Sequence, residues 1–165
     1  MKPIEQRVRA WRWLLLSAFV VFADQLSKIY IARHYGEFEF TRVLPILDIT
    51  RMQNVGAAFS LFASASGWQR WFFIALAAAV SIAIVAWLVR LRSATGALLP
   101  AGLALILGGA LGNLIDRVRL GSVIDFIHFH WHQAYFPAFN LADSSITVGA
   151  GLLLLDALLD ARRKR

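Results

Sequence analysis

Apolar residues along this chain gather into four runs, each long enough to cross a bilayer, and the polar residues collect between the runs and at their ends. The clearest run spans 71–89, WFFIALAAAVSIAIVAWLV, nineteen residues without a charge. At ~1.5 Å per helical residue it nearly matches a hydrocarbon core of ~30 Å. The others cover roughly 12–32, 94–115 (interrupted by Pro100 and a glycine-rich end) and 139–159. The connection 33–70 alternates apolar and polar residues in parts, as in Glu37-Phe38-Glu39-Phe40 and Leu47-Asp48-Ile49-Thr50, which predicts a small sheet at the membrane surface. The connection 116–138 is rich in aromatics and histidine over 121–137, as expected at the headgroup level. The predicted fold class is an α-helical polytopic membrane protein with four transmembrane helices and a small β-rich extracytoplasmic surface element. No repeat, low-complexity tract or linker divides it, so 1–165 is expected to form one membrane domain.

Composition strengthens the membrane assignment. The chain is 59% hydrophobic with a mean hydropathy of +0.61, above what a soluble domain of this size carries. A formal charge of +7 raises nucleic acid as a partner, but the charges stand in the wrong places for it. Lys2, Arg7, Arg9 and Arg12 flank the first span, Arg90 and Arg92 the turn between the second and third, and Arg162 to Arg165 follow the last. Short basic flanks of this kind anchor a protein at the cytoplasmic face, so both termini are expected in the cytoplasm and the two long connections outside. The basic start followed by an apolar segment resembles a secretory signal. Without a small-x-small cleavage site, it is expected to stay as the first span. There is no cysteine, which excludes disulfides, thiolate ligands and a cysteine nucleophile.

By this topology Asp24, Lys28, Asn54, Asn113, Asp116, Arg117, Asp125, Asn140 and Asp143 come from every part of the chain yet fall near one depth, the outer face. Ionisable groups at such depth usually pair or serve a site. Asp24 and Lys28 are spaced i, i+4 with the acid first, and are expected to form a structural polar pair. Ser27 beside Lys28 suggests a Ser–Lys hydrolase, but adjacent helical residues point about 100° apart. In NVGAAFS (54–60), Asn54 and Gly56 offer an amide and an open backbone to a bound chain; the same residues also suit a plain turn. GGALGNLIDR (108–117) sets glycines for close helix approach and puts Asn113 and Arg117 on one face. Arg117 there serves to pair with a carboxylate, to hold a substrate carbonyl, or as a plain interfacial anchor. HFHWH (His128, His130, His132) is compatible with zinc if alternate residues of a strand point one way, but no H-x-x-x-H or H-E-x-x-H helix occurs, and no metal is expected.

Asp125 in GSVIDFI and Asp143 in FNLADSSI complete the set. Two carboxylates brought together in a partly dry site share one proton and become an acid and a base able to activate water. Asn140 and the start of the fourth helix would orient them and stabilise negative charge. The same carboxylates would also serve a proton-coupled transporter or channel.

DQLSK (24–28), NVGAAFS, GNLIDR, GSVIDFI and FNLADSSI, in this order and over nearly the whole chain, resemble the lipoprotein signal peptidase (signal peptidase II) family of bacterial inner membranes. The resemblance implies an intramembrane aspartic endopeptidase without a cofactor. Its catalytic residues map onto Asp125 and Asp143, with Asn54, Gly56, Asn113, Arg117 and Asn140 binding substrate or supporting the site. It implies diacylglyceryl-modified prolipoproteins as substrates, cut immediately before the lipidated cysteine, at a site near the outer face of the cytoplasmic membrane. Membrane lipids are then the other partners, nucleic acid is not one, and a monomer is expected.

Overall fold

The computed structural model describes residues 10–56, 67–91, 96–132 and 134–163. Each apolar run is a helix: α1 (Ala10–His34), α2 (Trp68–Arg90), α3 (Leu98–Leu120) and α4 (Leu141–Arg163). All four are long and apolar enough to cross a membrane. Their outward side chains suit lipid rather than water: Phe19, Phe22, Trp71, Ile82 and Leu154 are between 63% and 70% exposed. α3 continues a turn beyond its apolar run, so Asp116, Arg117 and Arg119 remain helical. It stops at Gly121, which takes φ 83° and donates its N–H to the Arg117 carbonyl, a left-handed cap that suits glycine.

Four antiparallel strands, β1 (Phe40–Leu44), β2 (Leu47–Asn54), β3 (Val123–Trp131) and β4 (Ala134–Tyr135), form a sheet in the order β1-β2-β3-β4. The alternation in 33–70 thus corresponds to a hairpin, and the segment between α3 and α4, read above only as interfacial, supplies two more strands. β3 hides this from its sequence because Val123, Ile124, Asp125 and Phe126 are all buried, so no polar-apolar alternation survives. Ile124 and Phe126 pack with Ile31 of α1 and Leu141 of α4, which seats the sheet on the helix ends. Register then sets Asp125 opposite Met52 and Val123 opposite Asn54.

α3 packs against each of the other helices. Between helices in lipid there is no hydrophobic driving force, so close packing and hydrogen bonds must hold them. Glycines supply the closeness. A Cβ at Gly109 would collide with the Ala142 carbonyl oxygen of α4, and one at Gly112 would lie 2.6 Å from Asp24 Oδ2 of α1. Gly102 and Gly149 meet across α3 and α4, each Cβ position within 2.8 Å of the other's carbonyl oxygen. At the far end Ile84, Leu88, Leu91, Leu103 and Leu107 form the apolar core, with Trp13 and Leu14 against it.

Gly109→Val should therefore force α3 and α4 apart, at the ~1–3 kcal/mol typical of overpacking or more. Gly151→Ala, whose Cβ would meet nothing within 4 Å, should stay close to wild type. Thermal unfolding in detergent separates the two; equal midpoints would remove the packing role given to Gly109.

Candidate active site

Asn140 immediately precedes α4, and Asp143 stands in its first turn. The Asp143 N–H donates to Asn140 Oδ1 (2.9 Å), and the Asn140 N–H donates to Asp143 Oδ2 (3.2 Å). This reciprocal pair is a capping box, satisfying two donors that a helix start leaves open. The helix dipole favours negative charge at the same place, so a carboxylate can open an apolar span at reduced cost. Asp143 Oδ1 accepts a further hydrogen bond from Asn113 Nδ2 of α3 (2.8 Å).

Asp125 arrives from β3 and is 3% exposed. Its Oδ1 accepts from Asn140 Nδ2 (2.7 Å) and its Oδ2 from Asn54 Nδ2 (3.1 Å). Asn140, fully buried, therefore holds both acids: its side-chain oxygen and main-chain N–H hold Asp143, and its side-chain nitrogen holds Asp125. Burial, followed by the neighbouring charge of Asp143, pushes the Asp125 carboxyl up to about 7. Both acids line a cavity of about 650 Å³, together with Asn54, Asn113 and Arg117. Val123, Phe136, Phe139, Ile146 and Val148 make the rest of its wall largely apolar.

Arg117 reaches across to the Gly56 carbonyl (3.0 Å) and lies over the Phe73 ring, 5.0 Å from its centroid. Gly56 in turn donates its N–H to Asn54 Oδ1 (3.0 Å), so Asn54 bridges the turn and Asp125. The remainder of NVGAAFS, 57–60, lies outside the described residues.

Asp24 and Lys28 form their i, i+4 ion pair at 2.8 Å, but the pair is part of a larger cluster. Lys28 Nζ also contacts Asp116 Oδ2 (2.9 Å) and Asn113 Oδ1 (2.9 Å), giving its three N–H groups three acceptors. Gln25 Nε2 donates to Asp116 Oδ1 (2.8 Å) and lies 3.3 Å from Asp24 Oδ2. From the sequence Asp116 stands only among the polar residues near the outer face, without a role of its own, and Gln25 is not singled out. The signal missed for Asp116 is its three-residue spacing from Asn113 along one helix. Ser27 donates to the Asp24 carbonyl (2.7 Å) within its own helix, away from any nucleophilic arrangement with Lys28.

The histidines separate. His128 and His130 both pack on Tyr135, and His130 Nε2 lies 3.4 Å from Asp48 Oδ2. Burial would raise the Asp48 carboxyl, but Arg42, helped by His130, holds it below its ordinary value. His132 follows the strand's end with φ 53° and packs on Trp131. Among the described residues no three histidine or acidic side chains come close enough to hold a metal ion.

Fold and site define a four-span membrane protein with two hydrogen-bonded carboxylates in one pocket. The chain belongs to the signal peptidase II family: the family profile described as Signal peptidase (SPase) II matches residues 16–159. A lipoprotein signal peptidase of Acinetobacter baumannii (strain ATCC 17978) is 51% identical over 144 residues, covering 87% of this chain and 81% of that protein. One of Ectopseudomonas mendocina (strain ymp) is 51% identical over 156 residues, covering 93% and 92%. Two solved structures, each described as a bacterial membrane enzyme structure by the in meso method, superpose at TM-scores of 0.86 and 0.81 with 33% identity. They cover 98% and 94% of this chain and 96% and 97% of their own. The family is one of aspartic-type peptidases of the bacterial inner membrane, and no transporter reading finds a counterpart in it.

Because Asn140 serves both acids, Asn140→Ala should cost about 2 kcal/mol or more, from the lost cap and the abandoned Asp125 oxygen. Thermal unfolding in detergent would show it. An unchanged midpoint would mean the two acids are held by other groups.

Proposed function

We propose that this chain removes the signal peptide from diacylglyceryl-modified prolipoproteins by cutting immediately before the lipidated cysteine, with Asp125 and Asp143 as the catalytic pair. Membership of the signal peptidase II family gives the activity and the prolipoprotein substrate class. One observation supports the assignment of residues: two acids from different elements line one cavity and are joined through Asn140.

In the proposed reaction, one carboxylate takes a proton from water as it attacks the scissile carbonyl. The other carboxyl, protonated, donates a hydrogen bond to the carbonyl oxygen and stabilises the charge that develops there. The tetrahedral intermediate then collapses as a proton passes to the leaving amine, and the pair returns to one proton. Asn54, Asn113 and Asn140 keep the acids in register, and Arg117 with Gly56 offers polar contacts to the substrate backbone. The largely apolar wall suits a substrate whose signal segment and acyl chains are apolar.

Basic residues at both ends and at the α2–α3 turn support a topology with both termini in the cytoplasm and the site toward the outer face. The sheet then lies at the outer surface, and lipid surrounds the four helices. A monomer forming one membrane domain completes this reading.

Asp125→Asn and Asp143→Asn should each lower the cleavage rate of a diacylglyceryl-modified prolipoprotein by at least the ~10²–10⁴-fold carried by general acid–base groups. Both should remain folded. Mobility shift on a gel, with chelator present, reads the result; substantial cleavage by either variant removes that residue from the chemistry.

Dependence on pH follows from the raised carboxyl. The pair keeps its working proton below about 7 and loses it above, so kcat/KM should fall as pH rises through that value. Because the folded carboxyl is raised from its free value of 3.8 to about 7, its linked contribution to stability is complete below 3.8, falls as pH rises between the two values, and is gone above about 7. Parallel rate and unfolding profiles test this. A rate still climbing well above pH ~7 would contradict a shared proton.

A further inference from the structure

The cluster around Lys28 lies outside the cavity, and the reaction proposed above assigns it no chemistry. Its contacts have a pattern. Asp116 Oδ2 accepts the main-chain N–H of Ile124 (3.2 Å), the residue immediately before Asp125. Asp24 Oδ1 accepts the main-chain N–H of Ala142 (2.9 Å), the residue immediately before Asp143. Each buried acid of the cluster thus holds the backbone one residue ahead of a pocket acid.

The two holding acids are themselves tied together. Lys28 Nζ lies 2.8 Å from Asp24 and 2.9 Å from Asp116, and the Gln25 amide spans the same two carboxylates. Lys28 also donates to Asn113, whose amide nitrogen holds the Asp143 carboxylate. All three charged side chains are 4% exposed or less. α1 approaches this closely because residue 112 is glycine.

From these contacts we infer that Lys28, Asp24 and Asp116, bridged by Gln25, form a positioning clamp that fixes the spacing of the Asp125 and Asp143 backbones. This rests on the Asp125–Asp143 reading of the site. The geometry is economical: one ammonium sets two main-chain anchors, one on a strand and one at a helix start, which no hydrogen bond within either element could relate. An ion cluster needed only to balance charge would have no reason to spend an oxygen of each acid on these two amides.

The test compares Asp116→Leu, which loses both the ion pair and the Ile124 acceptor, with Asp116→Asn, which keeps a carbonyl oxygen for Ile124. Both are assayed in detergent on a diacylglyceryl-modified prolipoprotein, with rates referred to folded protein. A clamp predicts that Asp116→Leu lowers kcat about 10- to 100-fold, the scale of an ångström-level misplacement. KM should change less than about twofold, because the pocket lining is untouched. Asp116→Asn should recover a large part of the loss. The alkaline limb of the kcat/KM profile should also move to lower pH in Asp116→Leu, since separating the acids weakens the influence of Asp143 on Asp125. Folded variants of equal rate, or a leucine variant within about threefold of wild-type kcat with an unmoved profile, would overturn the clamp.

Amide hydrogen exchange on the wild-type protein gives a second reading that needs no variant. The amide of Ala142, at a helix start where exchange is ordinarily fast, should be strongly protected, and Ile124 likewise. Rapid exchange at both overturns the proposal even if neither variant folds. Asp125→Asn and Asp143→Asn, run alongside, keep the two ideas apart. Cleavage by either discards the acid pair, whereas a failed clamp leaves both inactive.

Discussion

Backbone contact between α3 and the first turn of α4 is the constraint on which the site depends. Gly109 lies so close to the Ala142 carbonyl that no Cβ fits between them, and one turn further along Gly112 admits the Asp24 carboxylate. That approach brings Asn113 within 2.8 Å of Asp143. A helix separation larger by one methyl layer would leave an apolar bundle of similar appearance and no acid pair held in place. Lipid provides little force to close such a gap, so the closeness has to come from missing side chains.

Once the helices are this near, the polar groups between them must satisfy one another, because water is scarce at that depth. The start of α4 shows this. The N–H groups of Asn140, Ala142 and Asp143 go to Asp143, Asp24 and Asn140, and the Ser144 N–H already reaches the Asn140 carbonyl. Farther down, Ser17 of α1 donates to the Ala104 carbonyl of α3 at 2.8 Å, a smaller instance of the same cross-helix satisfaction. A buried ion cluster adds little net stability, since desolvation offsets most of the attraction. Its effect is on geometry: groups that cannot be left unpaired have few ways to arrange themselves.

These same features explain what could and could not be read from the chain. Spans show plainly, because crossing a bilayer requires a long apolar run whatever the neighbours are. Asp24 with Lys28, and Asn113 with Arg117, are also legible, since helical periodicity alone puts each pair on one face. The hairpin of β1 and β2 shows because one of its faces stays polar. β3 does not, because it is buried on both faces where it meets α1 and α4, and its histidines resemble an interfacial segment. The contacts of Asp116 and Gln25 are invisible for another reason. Their partners lie on other elements, and periodicity within one helix says nothing about which groups the tertiary packing brings opposite. The family's motifs bring the acids of the pocket together on paper, but the Asn140 bridge between them exists only in three dimensions.

An acid pair assembled from a surface strand and a membrane helix carries a functional consequence. Asp125 reaches the pocket only when the sheet is docked on Ile31 and Leu141, and Asp143 only when α4 is packed on α3. The acid pair therefore exists only in the fully assembled fold, and a partly folded chain has two separated acids with no reason to share a proton. On the proposed reading of the site, this couples hydrolytic competence to correct folding. The cost is a buried carboxyl pushed up to about 7, charge held where the protein would be more stable without it. On the proposed reading that destabilised carboxyl is the one able to exchange a proton with water at neutral pH. The strain on the fold and the chemistry then have the same origin, the placement of two acids in one mostly apolar pocket.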